Sequence, residues 1–313
     1  MRQKILLTLM LLVSSFCLAE QLPLPEKNQT LMGKLVSHQV QTDETLAGIA
    51  RQYDVGYFEL LAANPHVNPR TLTSGTLLII PKQFILPNLP HKGIIINIGT
   101  MRLFYFPKGK DYFFTYPVGI GKQDWGTPLG VLSIIQKIAD PVWYVPQSIY
   151  DFRKAEGDPV PHKVPPGPDN PLGDYALRLS KPTYLIHGTN EPESVGVRSS
   201  AGCIHLYPED IKTLFANISI GEPVIIINQP YQANWSNNTL YVEAHLPLAE
   251  DRNKLADPTM NSLDIVNAIA KIPMRIDWGL AQEAIKDHTG IPIAVGQTDE
   301  STEISTQDEQ KWG

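Results

Sequence analysis

Short apolar runs, most of them too brief for helices, recur along the chain between polar and turn-forming residues. Residues 94–98 (Ile-Ile-Ile-Asn-Ile) and 102–106 flank Gly99-Thr100, which predicts two strands paired around a tight turn. Residues 112–118, 129–135, 184–186 and 224–227 read as further strands. Helical spacing is rarer. Thr45, Leu46, Ile49 and Ala50 predict one helix, and Leu60, Leu61 and Asn64 a second. Strands at 38–41 and 77–80 bracket them, so residues 37–82 form a small self-contained strand, helix, helix, strand (βααβ) module.

Residues 83–90 (Gln-Phe-Ile-Leu-Pro-Asn-Leu-Pro) read as a linker, because closely spaced prolines resist regular structure. The main domain follows at 91–230. Two helices are expected in it: one opening at Pro208-Glu209-Asp210, with proline and acidic groups in the first turn, the other near 149–153. Residues 158–174 carry six prolines and two glycines, and a long loop in a compact domain often forms a lid or a binding wall. Residues 232–296 read as a small accessory region of unassigned role, with an exposed strand at 240–243, an amphipathic helix at 262–272 and a further helix within 276–289. The fold class expected is mainly β: a sandwich of short strands preceded by an α+β module.

Composition narrows the setting. Arg2 and Lys4 precede the apolar run 5–13 and a small-residue site ending at Ala19, the pattern of a secretory signal peptide over residues 1–19. That run is shorter than the roughly 20 residues a spanning helix needs, so no transmembrane anchor is expected. Phe16 before Cys17 argues against a lipidated cysteine. After cleavage Cys203 is the sole thiol, and an unpaired cysteine in an oxidising compartment needs a reason: intermolecular pairing, inert burial or catalysis. The formal charge of −6 becomes −8 without Arg2 and Lys4, and about half of it comes from residues 298–313. Residues 297–313 read as a disordered acidic tail. No basic cluster supports nucleic-acid binding.

The candidate chemistry lies in Tyr184-Leu185-Ile186-His187-Gly188-Thr189 and, sixteen positions after His187, in Cys203 within Ser199-Ser200-Ala201-Gly202-Cys203-Ile204-His205-Leu206. A histidine ending an apolar strand is thus combined with a cysteine in a turn of small residues. A thiol becomes a nucleophile at neutral pH when a neighbouring imidazole takes its proton. Backbone amides near Gly202 and Cys203 are candidates to bind the tetrahedral oxyanion. Taken singly, a buried cysteine or a structural histidine is the commoner reading, and spacing alone does not prove contact.

Two resemblances extend this reading. Thr45-Leu46-x-x-Ile49-Ala50, Leu60-x-x-x-Asn64-Pro65 and Gly75-Thr76-x-Leu78-x-Ile80-Pro81 resemble a LysM domain, a family that binds the N-acetylglucosamine chains of peptidoglycan and chitin. Asp43-Glu44 stands where Gly-Asp is usual. His187-Gly188-Thr189, Gly196 and Ser-x-Gly-Cys-Ile, with Gly126-Thr-Pro-Leu-Gly130, Asp140-Pro141-x-Trp143 and the run 164–173, resemble L,D-transpeptidases of the YkuD type, in particular the exported ErfK/YbiS group.

That second resemblance implies a β-sandwich with Cys203 as acyl acceptor, His187 as base and the Gly188 carbonyl orienting the imidazole. Ser200, Gly202 and Cys203 would line the oxyanion site, with Thr189 and His205 near the substrate. It further implies two-step acyl transfer on peptidoglycan tetrapeptide stems in the periplasm, with no metal or organic cofactor. The acceptor amine stays open between an envelope protein and a second stem, with hydrolysis as a third outcome. Two departures stand out: Ala201 replaces a common His or Ser, and His205 replaces a common Arg. Residues 203 and 205 of an extended strand point the same way, so His205 is a rival base, with His187 preferred. The competing classes are a non-catalytic wall-binding protein and a papain-like Cys/His hydrolase. In papain-like enzymes Cys precedes His, and here His187 precedes Cys203.

Overall fold

The computed structural model describes residues 20–252 and 274–298. The expected signal peptide, the helix expected at 262–272 and the acidic tail beyond Thr298 lie outside the described residues. Among the described residues, no helix is long and apolar enough to cross a membrane.

The N-terminal part contains β1 (Glu20–Pro23), β2 (Leu31–Gly33), β3 (Val36–Gln39), α1 (Leu46–Gln52), α2 (Tyr57–Ala62), β4 (Leu77–Ile80) and β5 (Gln83–Ile85). In the small module β3 pairs antiparallel with β4, and the two helices bury Leu46, Ile49, Ala50 and Leu60 against Leu78 and Ile80. Local chemistry fixes the helix starts. The Thr45 hydroxyl accepts the Gly48 N–H at 3.0 Å, and the Glu59 carboxylate accepts the Gly56 N–H at 2.9 Å. Asn64 is fully buried because its amide is fully used: Nδ2 donates to the carbonyls of Leu60 and Ile79, while Oδ1 accepts the Ile79 N–H at 2.8 Å.

Residues 83–90 depart from the linker reading. β5 pairs with β2, and Phe84, Ile85 and Leu86 are buried. Prolines at 87 and 90 do limit regular structure, yet the three apolar residues before them are too costly to leave in water. Phe84 and Leu86 join Met32 in covering Ile95, Phe104, Phe106 and Phe113 on one face of the main sheet.

The main domain runs through β6 (Gly93–Asn97), β7 (Arg102–Phe106), β8 (Tyr112–Pro117), β9 (Ile120–Gly121), β10 (Gly130–Ala139), β11 (Trp143–Tyr144), α3 (Gln147–Ala155), β12 (Lys163–Val164), β13 (Tyr175–Leu179), β14 (Leu185–His187), β15 (Arg198–Ser200), β16 (Ile204–His205), α4 (Pro208–Asn217) and β17 (Pro223–Ile227). Its sheet has the order β1-β8-β7-β6-β17-β10-β13-β14-β16. The ten-residue β10 is the corner: its first half pairs with β17 and its second with β13, with a register shift between Ile134 and Gln136. The sheet curls there, so that its far end returns to its beginning and His205 of β16 bridges to Gly119 just past β8.

The period-two pattern gives the central strands β6, β7 and β8 two buried faces. Ile94, Ile96, Leu103, Tyr105, Phe114 and Tyr116 point between the layers, against Ile134, Leu177, Leu179, Ile186 and Ile204. Ile95, Phe104 and Phe113 point to the opposite face.

The last part comprises β18 (Tyr231–Ser236), β19 (Thr239–Ala244), β20 (Met274–Ile276), α5 (Trp278–Asp287) and β21 (Ile293–Thr298), in a sheet of order β18-β19-β21-β20. The strand expected to be exposed at 240–243 is interior. Leu240 and Val242 are buried against Ala281 and Ile285 of α5 and Val295 of β21. The α5 start is capped by the Asp277 carboxylate, which accepts the Leu280 N–H at 3.0 Å. Buried Glu243 of β19 accepts the Ile85 N–H at 2.6 Å and pairs with His245 at 2.7 Å, so this region is tied to β5.

Candidate active site

β14 and β16 lie side by side and parallel at the end of the curled sheet, with Ile186 opposite Ile204 and His187 opposite His205. Ile186 and Ile204 point into the core, which turns the alternate residues, including Cys203, toward the other face. There a cavity of about 670 Å³ opens, lined by Cys203, His187, His205, Thr189 and Ser200 among others. The long loop supplies much of its wall through Pro161, Val164, Pro166, Pro168 and Leu172. Trp125, Trp143 and Phe152 form an aromatic side that the motif reading did not single out for contact; of these, Trp125 and Phe152 meet edge to face at 6.1 Å.

The turn bearing the thiol is held by its own small residues. Gly202 adopts φ +102°, a region that side chains with a Cβ rarely occupy, and a Cβ there would also meet the Tyr184 ring at 2.8 Å. The Ser200 hydroxyl donates to the Cys203 carbonyl at 2.6 Å and accepts the Gly202 N–H at 3.2 Å. Ser200 lines the cavity, as expected, and in this structure its hydroxyl also closes the turn. That hydroxyl staple is local geometry that a motif does not display.

Cys203 is partly accessible, and its thiol donates to the Thr183 carbonyl at a long 3.9 Å. Burial pushes its pKa up, against the opposing effects of the Leu185 backbone N–H and the charge of Arg178. At neutral pH it is a thiol that needs a base.

Two histidines stand near it, with ring centroids 6.1 Å apart. His187 Nδ1 lies 2.6 Å from the Gly188 carbonyl oxygen, which only accepts, so Nδ1 carries the proton and Nε2 is the basic nitrogen. Burial, with His205 adding to it, lowers the His187 pKa to about 3, although the Gly188 bond opposes this. His205 is arranged the other way round. Its Nε2 lies 3.0 Å from the Ser194 carbonyl and 3.0 Å from the Ser194 hydroxyl, so Nε2 carries the proton and is occupied. Burial lowers its pKa to about 4, the Ser194 bond opposing. Gly119 lies so close that a Cβ there would overlap the imidazole, which wedges the ring in place. Thr189 is buried, and its hydroxyl accepts the Glu191 N–H at 2.9 Å.

A buried neutral imidazole with a fixed tautomer and the Cys203 thiol line one walled cavity, a combination of groups that can support covalent acyl transfer. Residues 91–226 match the L,D-transpeptidase catalytic domain (YkuD), and residues 38–81 match the LysM domain. The chain is 39% identical over 281 residues to a protein of Escherichia coli K12 named "Probable L,D-transpeptidase YcfS", covering 87% of each chain. It is 33% identical to "Probable L,D-transpeptidase YbiS" of the same strain, covering 94% of this chain and 98% of that one. It is also 33% identical to "Probable L,D-transpeptidase ErfK/SrfK" of Salmonella typhimurium LT2, covering 91% and 94%. The chain belongs to the L,D-transpeptidase family, and it carries a LysM domain ahead of the catalytic one.

Proposed function

We propose that this protein is a periplasmic acyltransferase that uses Cys203 as nucleophile and His187 as base on peptidoglycan tetrapeptide stems. The observation that carries the reading is the bond from His187 Nδ1 to the Gly188 carbonyl, which reserves Nε2 for the thiol proton. In the first step Cys203 Sγ attacks the carbonyl carbon joining diaminopimelate to the terminal D-Ala, and His187 Nε2 takes the thiol proton. The C–N bond breaks, His187 returns the proton to the departing amine, and a thioester remains. In the second step an acceptor amine attacks the thioester, its proton passes through His187, and the Cys203 thiol is regenerated. No redox or metal chemistry enters these steps.

An envelope protein's amine is the favoured acceptor, in line with the ErfK/YbiS likeness, and a second stem's diaminopimelate is the other. The LysM domain would hold the enzyme on glycan strands and raise the local concentration of stems. The long proline-punctuated wall and the aromatic side of the cavity suit an extended peptide rather than a small metabolite.

Intact-mass measurement of the mature protein, with a diaminopimelate tetrapeptide stem or a carbapenem, tests the reading against Cys203→Ala. An adduct on wild type alone is expected. No adduct on folded, reduced wild type would overturn it in favour of a wall-binding protein without catalysis.

A further inference from the structure

The segment 247–251 lies beyond the matched catalytic region, which ends at 226, yet it is built into the catalytic domain. Leu248 is buried in the core between the two layers. Asp251 accepts a hydrogen bond from Asn228 Nδ2 at 2.8 Å. Between them Glu250 meets Arg198 as a two-pronged pair, Nη1 to Oε2 at 2.7 Å and Nη2 to Oε1 at 2.8 Å, with Arg198 only 17% exposed. Paired, planar contacts of this kind fix direction as well as distance.

Arg198 in turn reaches the catalytic turn. Its Nε donates to the Gly121 carbonyl at 3.1 Å, and β15, which it begins, pairs with β9. The Lys122 N–H donates to the Ser200 carbonyl at 2.9 Å. Gly121 is packed so tightly on the turn that a Cβ on it would lie 2.9 Å from the Gly202 Cα. One guanidinium therefore bridges the C-terminal segment and the strand pair from which the Ser200–Cys203 turn springs.

We infer that segment 247–251 braces the catalytic turn, and that Glu250, acting through Arg198, is a positioning residue for acylation of Cys203. This role rests on the acyl-transfer reading above. It assigns a task to a region that had none: the segment that follows β19 carries a clamp for the turn that holds the nucleophile. A nucleophile displaced by a fraction of an ångström loses rate without losing substrate affinity.

The test uses the full mature chain and carbapenem acylation followed by intact mass, fitted to a maximal rate and a half-saturating concentration. Glu250→Ala is expected to lower the maximal rate about 10-fold. The half-saturating concentration stays near wild type, and the variant stays folded at the assay temperature. Glu250→Gln, which retains one acceptor oxygen for Arg198, falls between the two. Asp251→Asn removes a neighbouring charge while keeping an acceptor oxygen for Asn228 and leaving Arg198 untouched, and it is expected to leave the rate unchanged. Wild-type acylation by Glu250→Ala, with Cys203→Ala inert, would overturn the brace and leave the acyl-transfer reading standing. Equal loss in Asp251→Asn and Glu250→Ala would reduce the contact to general packing and overturn the positioning role. An inert wild type would overturn the acyl-transfer reading, and this role with it.

Discussion

At the scale of single residues, the site contains two buried imidazoles with opposite tautomers, and that difference underlies the roles proposed for them. His187 holds its proton on Nδ1 against Gly188, leaving Nε2 basic, while His205 commits Nε2 to Ser194. His187→Gln is therefore expected to slow acylation by a factor of about 10² to 10⁴. His205→Gln keeps a donor for Ser194 and is expected to slow it much less; equal losses in single-turnover acylation would contradict the assignment. Both imidazoles also carry a pH signature. Their folded pKa values, about 3 and about 4, lie below the ordinary 6.5. An unfolded chain thus takes up protons below pH 6.5 that the folded one refuses. Their contribution to stability is complete above 6.5 and declines as pH falls toward 4. From pH 7 to pH 5 each histidine contributes a loss of about 2 kcal/mol. Denaturant unfolding of His187→Gln at the two pH values should show a drop smaller than wild type by about that amount; identical drops would refute the buried, neutral state.

At the scale of elements, period and punctuation made much of the architecture legible, and what they missed has identifiable causes. The paired strands β6 and β7 and the opening of α4 at Pro208 follow from alternation around Gly99-Thr100 and from first-turn chemistry. β9, β15 and β16 are only two or three residues long, too short to have a period, and they frame the turn that carries Cys203. That Cys203 and His187 share one cavity follows from the family resemblance of their motifs, since spacing alone does not prove contact. The hydroxyl staple of Ser200, the Ser194 partner of His205 and the Arg198–Glu250 clamp depend on contacts between residues distant in sequence or on turn geometry, which no local pattern displays. In segment 83–90 the prolines at 87 and 90 suggest a linker, whereas the run Phe84-Ile85-Leu86 decides the structure. That run closes the outer face of the sheet over Phe104 and Phe113. Phe84→Ala should accordingly cost about 3 to 5 kcal/mol, as truncation of a buried aromatic does. Asn88→Ala, at an exposed position in the same segment, should change stability by less than about 0.5 kcal/mol. Comparable small effects from both in denaturant unfolding would restore the linker reading.

At the scale of the whole molecule, the LysM domain is docked on the catalytic domain by contacts of unequal worth. The backbone N–H groups of Tyr57 and Phe58 donate to the carbonyls of Val195 and Gly196 at 3.1 and 3.4 Å, and the Tyr207 hydroxyl donates to Val55 at 3.1 Å. Arg102, almost fully buried, donates to Glu59 at 2.5 Å and to Thr115 at 3.1 Å. Arg51 meets Glu209 at 2.9 Å through both of its prongs, but it is 43% exposed, so water competes for it. Removing one side of a buried pair costs about 3 to 5 kcal/mol, whereas an exposed pair contributes less than about 1 kcal/mol. The two domains should consequently melt as one unit in wild type and in Arg51→Ala. In Glu59→Ala the bond to buried Arg102 is gone, and calorimetry should resolve an early transition for the LysM domain ahead of the catalytic one. Val195 and Gly196 adjoin Ser194, the partner of His205, so the interface lies next to the cavity wall. Loosening the interface in Glu59→Ala should therefore also be felt as greater protease sensitivity around 190–197. A single unshifted transition in Glu59→Ala, or equal damage from Arg51→Ala, would mean that the interface is held by its backbone contacts and not by the buried charge.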